Sequence, residues 1–255
     1  MEDALAHLNA KDVLDEQHLA FYEKGMTFFY LQLVHLNVNV FILEHVLQFP
    51  FELFTVVGES IFFRMVFENF FHASLLIITR ITTDQGSGLF TLPRFKNNIR
   101  QCVRSEHQAS FDNRLRNIRF DKETQTLLER ADGLRNERIA HASETIALGE
   151  AEDTRVTFGE IKVLRDKLES LLDALSFNVE RMMLPVEYSS TVRHPPDMDN
   201  RPDIEVILDL IAERSALLNM PEDNPQMWVY QRERLSEDEI RILNQYRSKF
   251  NLPAV

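Results

Sequence analysis

Residues Leu134–His141 read LRNERIAH and place two arginines, an asparagine and a histidine within one short stretch. On a helix, Arg135, Arg138 and His141 step by three and fan across one side. An arginine guanidinium stays charged and offers a planar fork that can donate two hydrogen bonds to two phosphate oxygens. A histidine titrates near working pH and can move protons. These are the groups that RNA cleavage needs: a base for the 2′-hydroxyl proton, an acid for the leaving oxygen, and cations for the crowded phosphorane. One histidine per chain is one short if imidazole performs both proton transfers. A symmetric dimer, with two copies of the motif facing one cleft, supplies the second. The competing reading is a solvated helical face on which Arg135 or Arg138 pairs with Glu137, Glu144 or Asp132.

The chain carries a formal charge of −12, so as a whole it lacks the basic footprint of a protein that lives on nucleic acid. The charge is uneven. From Arg94 to Arg138, eleven Lys/Arg stand against seven Asp/Glu, and the densest part, RFKNNIRQCVRSEHQASFDNRLRNIRF, leads towards the motif. This basic region is expected to guide RNA, with Arg104 and Arg114 among the holding side chains and Arg138 beside the motif. Binding should then weaken as ionic strength rises.

The elements that must position these groups read as helices. Phe occurs 19 times and Gly only seven, which argues against a β-rich or Rossmann-like chain. At 255 residues, one large domain or one domain with an appendage is expected. A lone cysteine, Cys102, fits a reducing compartment, and the acidic N-terminus shows no apolar leader, so a cytoplasmic location is expected. A nearly continuous helical pattern covers 12–49. Its run MTFFYLQLVHLNVNVFILEHVLQF is long enough to raise the question of a membrane. Gln32, His35, Asn37, Asn39, Glu44 and His45 interrupt it, which predicts a buried soluble helix broken at Pro50.

A second long helix is expected to end near Asp84, with Gly58 allowing a bend or a close approach, and DQGSG forms a turn. Shorter helices are expected over 93–108 and 110–132, the second running up to Gly133, after which the motif opens another. Thr157 and Glu160 have capping-box spacing. The apolar positions that follow, Ile161, Leu164, Leu168, Leu171, Leu175, Val179 and Met182, form one stripe. Residues 188–203 read as a linker. Beyond it lie IEVILDLIAERSALL and a last helix opened by Ser236 and Glu239. The expected fold is all-α, with a helical bundle over 1–190 and a linker and C-terminal helical extension over 191–255.

The motif and its setting resemble the HEPN superfamily of helical-bundle domains, whose signature is an arginine, a polar residue, a few further residues and a histidine. Arg135, Asn136 and His141 fill it as Arg-Asn-x-x-x-Ala-His. The wider pattern is similar to the bacterial HEPN group associated with abortive infection. There too, a second helix ends in an arginine-then-aspartate segment such as ITRITTD (Arg80, Asp84), and a capped helix like VTFGE follows the histidine. The resemblance spans roughly residues 12–190. It implies a HEPN-like bundle and a metal-independent endoribonuclease of toxin or antiphage-defence type, acting on RNA as a homodimer with a composite site. Arg135 would stabilise the transition-state phosphate, Asn136 would orient phosphate or histidine, and His141 would be the acid/base. Neither cofactor nor metal is implied, and an antitoxin or regulatory protein is a candidate partner. One toxin group within the superfamily, silenced by a nucleotidyltransferase partner, carries a tyrosine a few residues after the histidine. Here Ala-Ser-Glu-Thr follows His141, so that mode of control is not implied. The alternative is a non-catalytic HEPN module that binds RNA, a nucleotide or a regulatory protein through the same cleft.

Other constellations read as structural. Glu44, His45, Glu68 and His72 lack the paired Glu-x-x-His of a di-metal bundle and are expected to be satisfied along packed helices. Cys102 is expected to be a small buried side chain. Trp228 and Tyr230, near Phe250, could stack a base, but the favoured reading is that they pin the C-terminal extension to its own core.

Overall fold

The computed structural model describes residues 5, 7–50, 61–83, 89–116, 118, 121–136, 156–177, 204–208, 236–251 and 254. Among these residues every regular element is helical, and the single strand-like feature is an isolated bridge between Leu14 and Val103. The all-α class is therefore established. The chain divides into two compact units: Met1–Val40 with Phe71–Val186, and Phe41–Phe70 with Glu187–Val255.

The first unit opens with a short helix α1 (Ala10–Val13) and a 3-10 turn (Glu16–His18), followed by most of α2 (Leu19–Gln48). It continues with the last turns of α3 (Ile61–Thr82), then α4 (Leu92–Cys102), α5 (Ser105–Arg116), α6 (Lys122–Leu134) and α7 (Phe158–Leu175). Pro50 stands just beyond α2, as its missing donor requires. By length and composition, the stretch Glu16–Gln48 could cross a membrane. Even so, 44% of its most apolar window is buried inside the protein.

Local chemistry starts these helices. Thr157 and Glu160 form the expected capping box: the hydroxyl accepts from the Glu160 amide at 3.2 Å, and the carboxylate accepts from the Thr157 amide at 2.7 Å. Burial would raise the Glu160 pKa. The Thr157 amide and the Arg130 guanidinium outweigh it and hold the carboxyl below its usual value. The α7 stripe is buried at Ile161, Leu164, Leu168, Leu171 and Leu175. The helix ends there, and Val179 and Met182 lie outside the described residues.

Three expected boundaries are corrected. The pattern over 12–49 is broken at Leu14 and Asp15, which are extended, so the long helix starts at Leu19. The span 93–108 is not one helix, because Val103 turns extended (φ −72°, ψ 132°) and bridges to Leu14. The Arg104 amide donates to Val13 O and the Asp15 amide to Cys102 O, so the backbone groups freed by the break find partners. The span 110–132 is likewise two helices. The second begins at Asp121, whose side chain accepts from the Thr124 amide at 2.8 Å.

The first core gathers aromatics around Phe95, which lies with Phe29 at 5.3 Å and Tyr22 at 6.4 Å between ring centroids. Such pairs contribute about 0.5–1.5 kcal/mol each beyond area burial. Gly25 is what lets α4 approach α2, since a Cβ there would stand 2.2 Å from the Phe95 ring. The buried Tyr22 hydroxyl donates to Leu175 O at 3.0 Å and ties the start of α2 to the end of α7. Cys102 is buried, and burial, then Asp15, pushes its thiol pKa up.

The second unit holds the last turns of α2, the first turns of α3, a helical stretch at 204–208 and α8 (Glu237–Lys249), opened by the expected Ser236–Glu239 box. Its core joins Phe49, Leu208, Leu243 and Tyr246, with Phe63, Ile204 and Phe250 packed against them. Trp228 and Tyr230 lie outside the described residues.

Candidate functional site

The motif begins at the end of α6, and here the expected arrangement is corrected again. Gly133 does not end the helix, and the described part of the motif, Leu134–Asn136, does not open a new one. Arg135 and Asn136 continue α6 as a π-helical turn. The Arg135 amide reaches back to Ala131 O and Asp132 O. With no positive φ recorded at Gly133, nothing in its backbone interrupts the helix. Single π-turns of this kind are frequent at functional sites, because they displace side chains from the regular 3.6-residue spacing.

The side chains at this turn form a small network. Arg135 Nη2 lies 3.1 Å from Asp132 Oδ1, and its Nε and Nη2 donate to Asn136 Oδ1 at 3.1 and 2.8 Å. Asn136 Nδ2 donates in turn to Asp132 Oδ2 at 3.2 Å. The Thr83 hydroxyl, just past the end of α3, lies 3.0 Å from Asp132 Oδ1. Asp132 therefore links the motif to the ITRITTD segment, whose Arg80 guanidinium binds the Gln32 side chain. The Arg135 side chain is 19% exposed, so its orientation is imposed by neighbours rather than averaged by solvent. A guanidinium fixed by a carboxylate and a carboxamide is pre-organised to receive an anion without losing further rotamer freedom.

The other candidates are placed as follows. His141 and Arg138 lie outside the described residues, as do Glu137, Glu144 and Asp84. Arg104, at the break between α4 and α5, donates from Nη2 to Lys11 O at 2.9 Å. Arg114 donates from Nη1 to Ser176 O at 2.8 Å and lies over the Phe177 ring, 5.6 Å from its centroid. A cation on the last carbonyls of α7 satisfies groups the helix leaves open and complements its dipole. Asp132 entered the sequence reading only as a competitor for Arg135. Its capacity to hold both motif residues has a signal in the sequence, since it precedes them by three and four positions.

Of the histidines and carboxylates weighed for metal, His45 is buried, with Nδ1 2.9 Å from Phe41 O and Nε2 3.1 Å from Glu205 Oε1. Among the described residues, no three His, Cys, Asp or Glu side chains gather as a metal site.

A family model of AbiU2, a HEPN group, matches residues 54–195, more than half of the chain. The matched stretch takes in Arg80, Asp84, Arg135, Asn136 and His141, and it starts beyond the end of α2. Searches of curated proteins and of solved structures return no match.

Proposed function

The chain belongs to the AbiU2 family of the HEPN superfamily, and on that footing we propose that it is a metal-independent endoribonuclease of toxin or antiphage-defence type. It acts on cytoplasmic RNA at a composite site across a homodimer. The carrying observation is the Arg135–Asn136 pair held by Asp132 at the end of α6. In this reading Arg135 meets the phosphorane charge, Asn136 orients the phosphate or the imidazole, and His141 moves the protons, one histidine from each protomer serving as base and the other as acid. Arg138 adds a second cation beside the scissile phosphate. An antitoxin or regulatory protein would act by covering the cleft.

The grip of Asp132 on Arg135 also favours a second reading, in which the same groups bind RNA, a nucleotide or a partner protein without turnover. The two are separated by incubating the purified chain with total RNA in EDTA, beside His141→Ala. Ribonuclease action produces fragments ending in 2′,3′-cyclic phosphate from the wild type only. Cleavage by His141→Ala at the wild-type rate would sink the proposal. RNA left intact by both would move the assignment to the binding module.

A further inference from the structure

A cavity of about 460 Å³ lies in the first unit on the α4–α5 pair, bordered by α6 and α7. That volume falls within the range of small-ligand sites, about 300–1,000 Å³. Lys96, Arg100 and Arg116 stand on its wall with Asn97, against the single carboxylate of Asp112 among the described residues, and Leu171 and Ile118 give it an apolar side. Asp112 is committed to Arg100 through a bidentate pair of 2.6 and 2.8 Å, which fixes the guanidinium on the wall. Arg116 and Lys96 have no ion-pair partner among the described residues, although Arg116 contributes to holding the Asp112 pKa down. The cavity therefore presents two cations outside any described ion pair beside a locked third.

We propose that this groove binds a phosphodiester of single-stranded RNA, with Lys96 and Arg116 on the phosphate oxygens, Arg100 and Asn97 alongside, and the nucleoside against Leu171 and Ile118. The assignment rests on the ribonuclease reading for its choice of strand, since the groove's own chemistry selects anions generally. A strand fits because α6 connects the two places. Gln125 borders the groove, and Arg135 ends the same helix ten residues later, about 15 Å along the axis at 1.5 Å per residue. A strand gripped here can present a nearby phosphate to the motif. Among the described residues no aromatic side chain lines the groove, and its cations meet the phosphate rather than the base.

The test is fluorescence anisotropy with a 2′-O-methyl RNA oligonucleotide, which offers no 2′-hydroxyl for cleavage, titrated with wild type, Lys96→Glu, Arg116→Glu and the double variant. Each reversal is expected to weaken binding about three- to tenfold and to lower the salt slope by about one. Melting curves check that the substitutions at half-buried Lys96 and exposed Arg116 leave the fold intact. Unchanged affinity and slope in the double variant overturn the groove. A higher affinity for adenosine monophosphate or for polyglutamate than for the oligonucleotide, lost in the double variant, also overturns it, in favour of a free nucleotide or an acidic protein. Failure of this proposal is distinct from failure of the ribonuclease. A wild type that cleaves total RNA while the double variant binds normally loses only the groove. A wild type that binds through Lys96 and Arg116 but cuts nothing loses only the catalysis.

Discussion

Arg135 and Asn136 share one carboxylate, and that arrangement makes Asp132 a positioning residue for the proposed reaction. Asp132→Asn keeps the size of the side chain and one acceptor but removes the charge that holds the guanidinium. The expected result is a fall in kcat of about ten- to a hundredfold with KM little changed, because misplacement of a charged group by a fraction of an ångström raises the barrier more than it weakens binding. Single-turnover cleavage with wild type and variant measures it. A proportional rise in KM at constant kcat would instead mark Asp132 as part of general RNA binding. The half-buried Arg114 shows how different the fate of a neighbouring arginine can be. Its donors meet Ala174 O and Ser176 O and its guanidinium lies over Phe177, so it closes the end of α7.

Among the elements, the approach of α4 to α2 depends on one missing methyl. Gly25→Ala would drive a Cβ into the fully buried Phe95 ring, which is itself boxed in by Phe29, Phe90 and Tyr22. Alanine favours the helix by about 1 kcal/mol, yet overpacking of about 1–3 kcal/mol is expected to win, giving net destabilisation in urea titrations. A stabilised variant would mean that α4 shifts freely. Acid acts on α5, α6 and α7. Thr124 holds the Asp121 carboxyl below its usual pKa, Arg100 does so for Asp112, and the Thr157 amide and Arg130 overcome burial at Glu160. A depressed folded pKa stabilises the fold above the unfolded value, about 4 for carboxylates, and the benefit is lost as pH falls through the lower folded value. As far as these groups decide it, the melting temperature is flat from pH 7 to about 5 and drops below about pH 4. Asp121→Asn keeps a good N-cap without the titration and should shallow the acid limb. An acid limb as steep as the wild type's would remove Asp121 from the account.

At the scale of the molecule, the second unit is assembled from segments far apart in the chain, and one buried pair joins them. His45 is stacked on Phe250 at 3.9 Å between ring centroids, and its two ring nitrogens face Phe41 O and the Glu205 carboxylate. Removing either partner alone strands the other in an apolar setting. His45→Leu or Glu205→Leu is expected to cost about 3–5 kcal/mol, while the double replacement costs much less than the sum. Equilibrium urea unfolding of the four proteins completes the cycle, and strictly additive losses would show that the pair is not coupled.

The features legible from sequence are those with local causes. The scarcity of glycine, the α7 stripe, the break at Pro50, and the Thr157 and Ser236 caps each depend on residues within a few positions of one another, so an all-α chain and the starts of α7 and α8 follow without a fold. The motif was legible for the same reason, as residue types at a fixed spacing, and Arg135 with Asn136 now stand together on one turn. Where local pattern was followed too far, a distant partner intervened. Val103 left the helical region because Leu14, nearly ninety residues earlier, offered a bridge. Tertiary structure alone decided that Arg114 would turn to the end of α7, that Asp112 would lock Arg100 and leave Lys96 and Arg116 on the wall of a groove, and that His45 would meet Glu205 across 160 residues. A charge shows in the sequence, but its partner is set by which surfaces the folded helices bring within a few ångströms, and that depends on the packing of the whole unit.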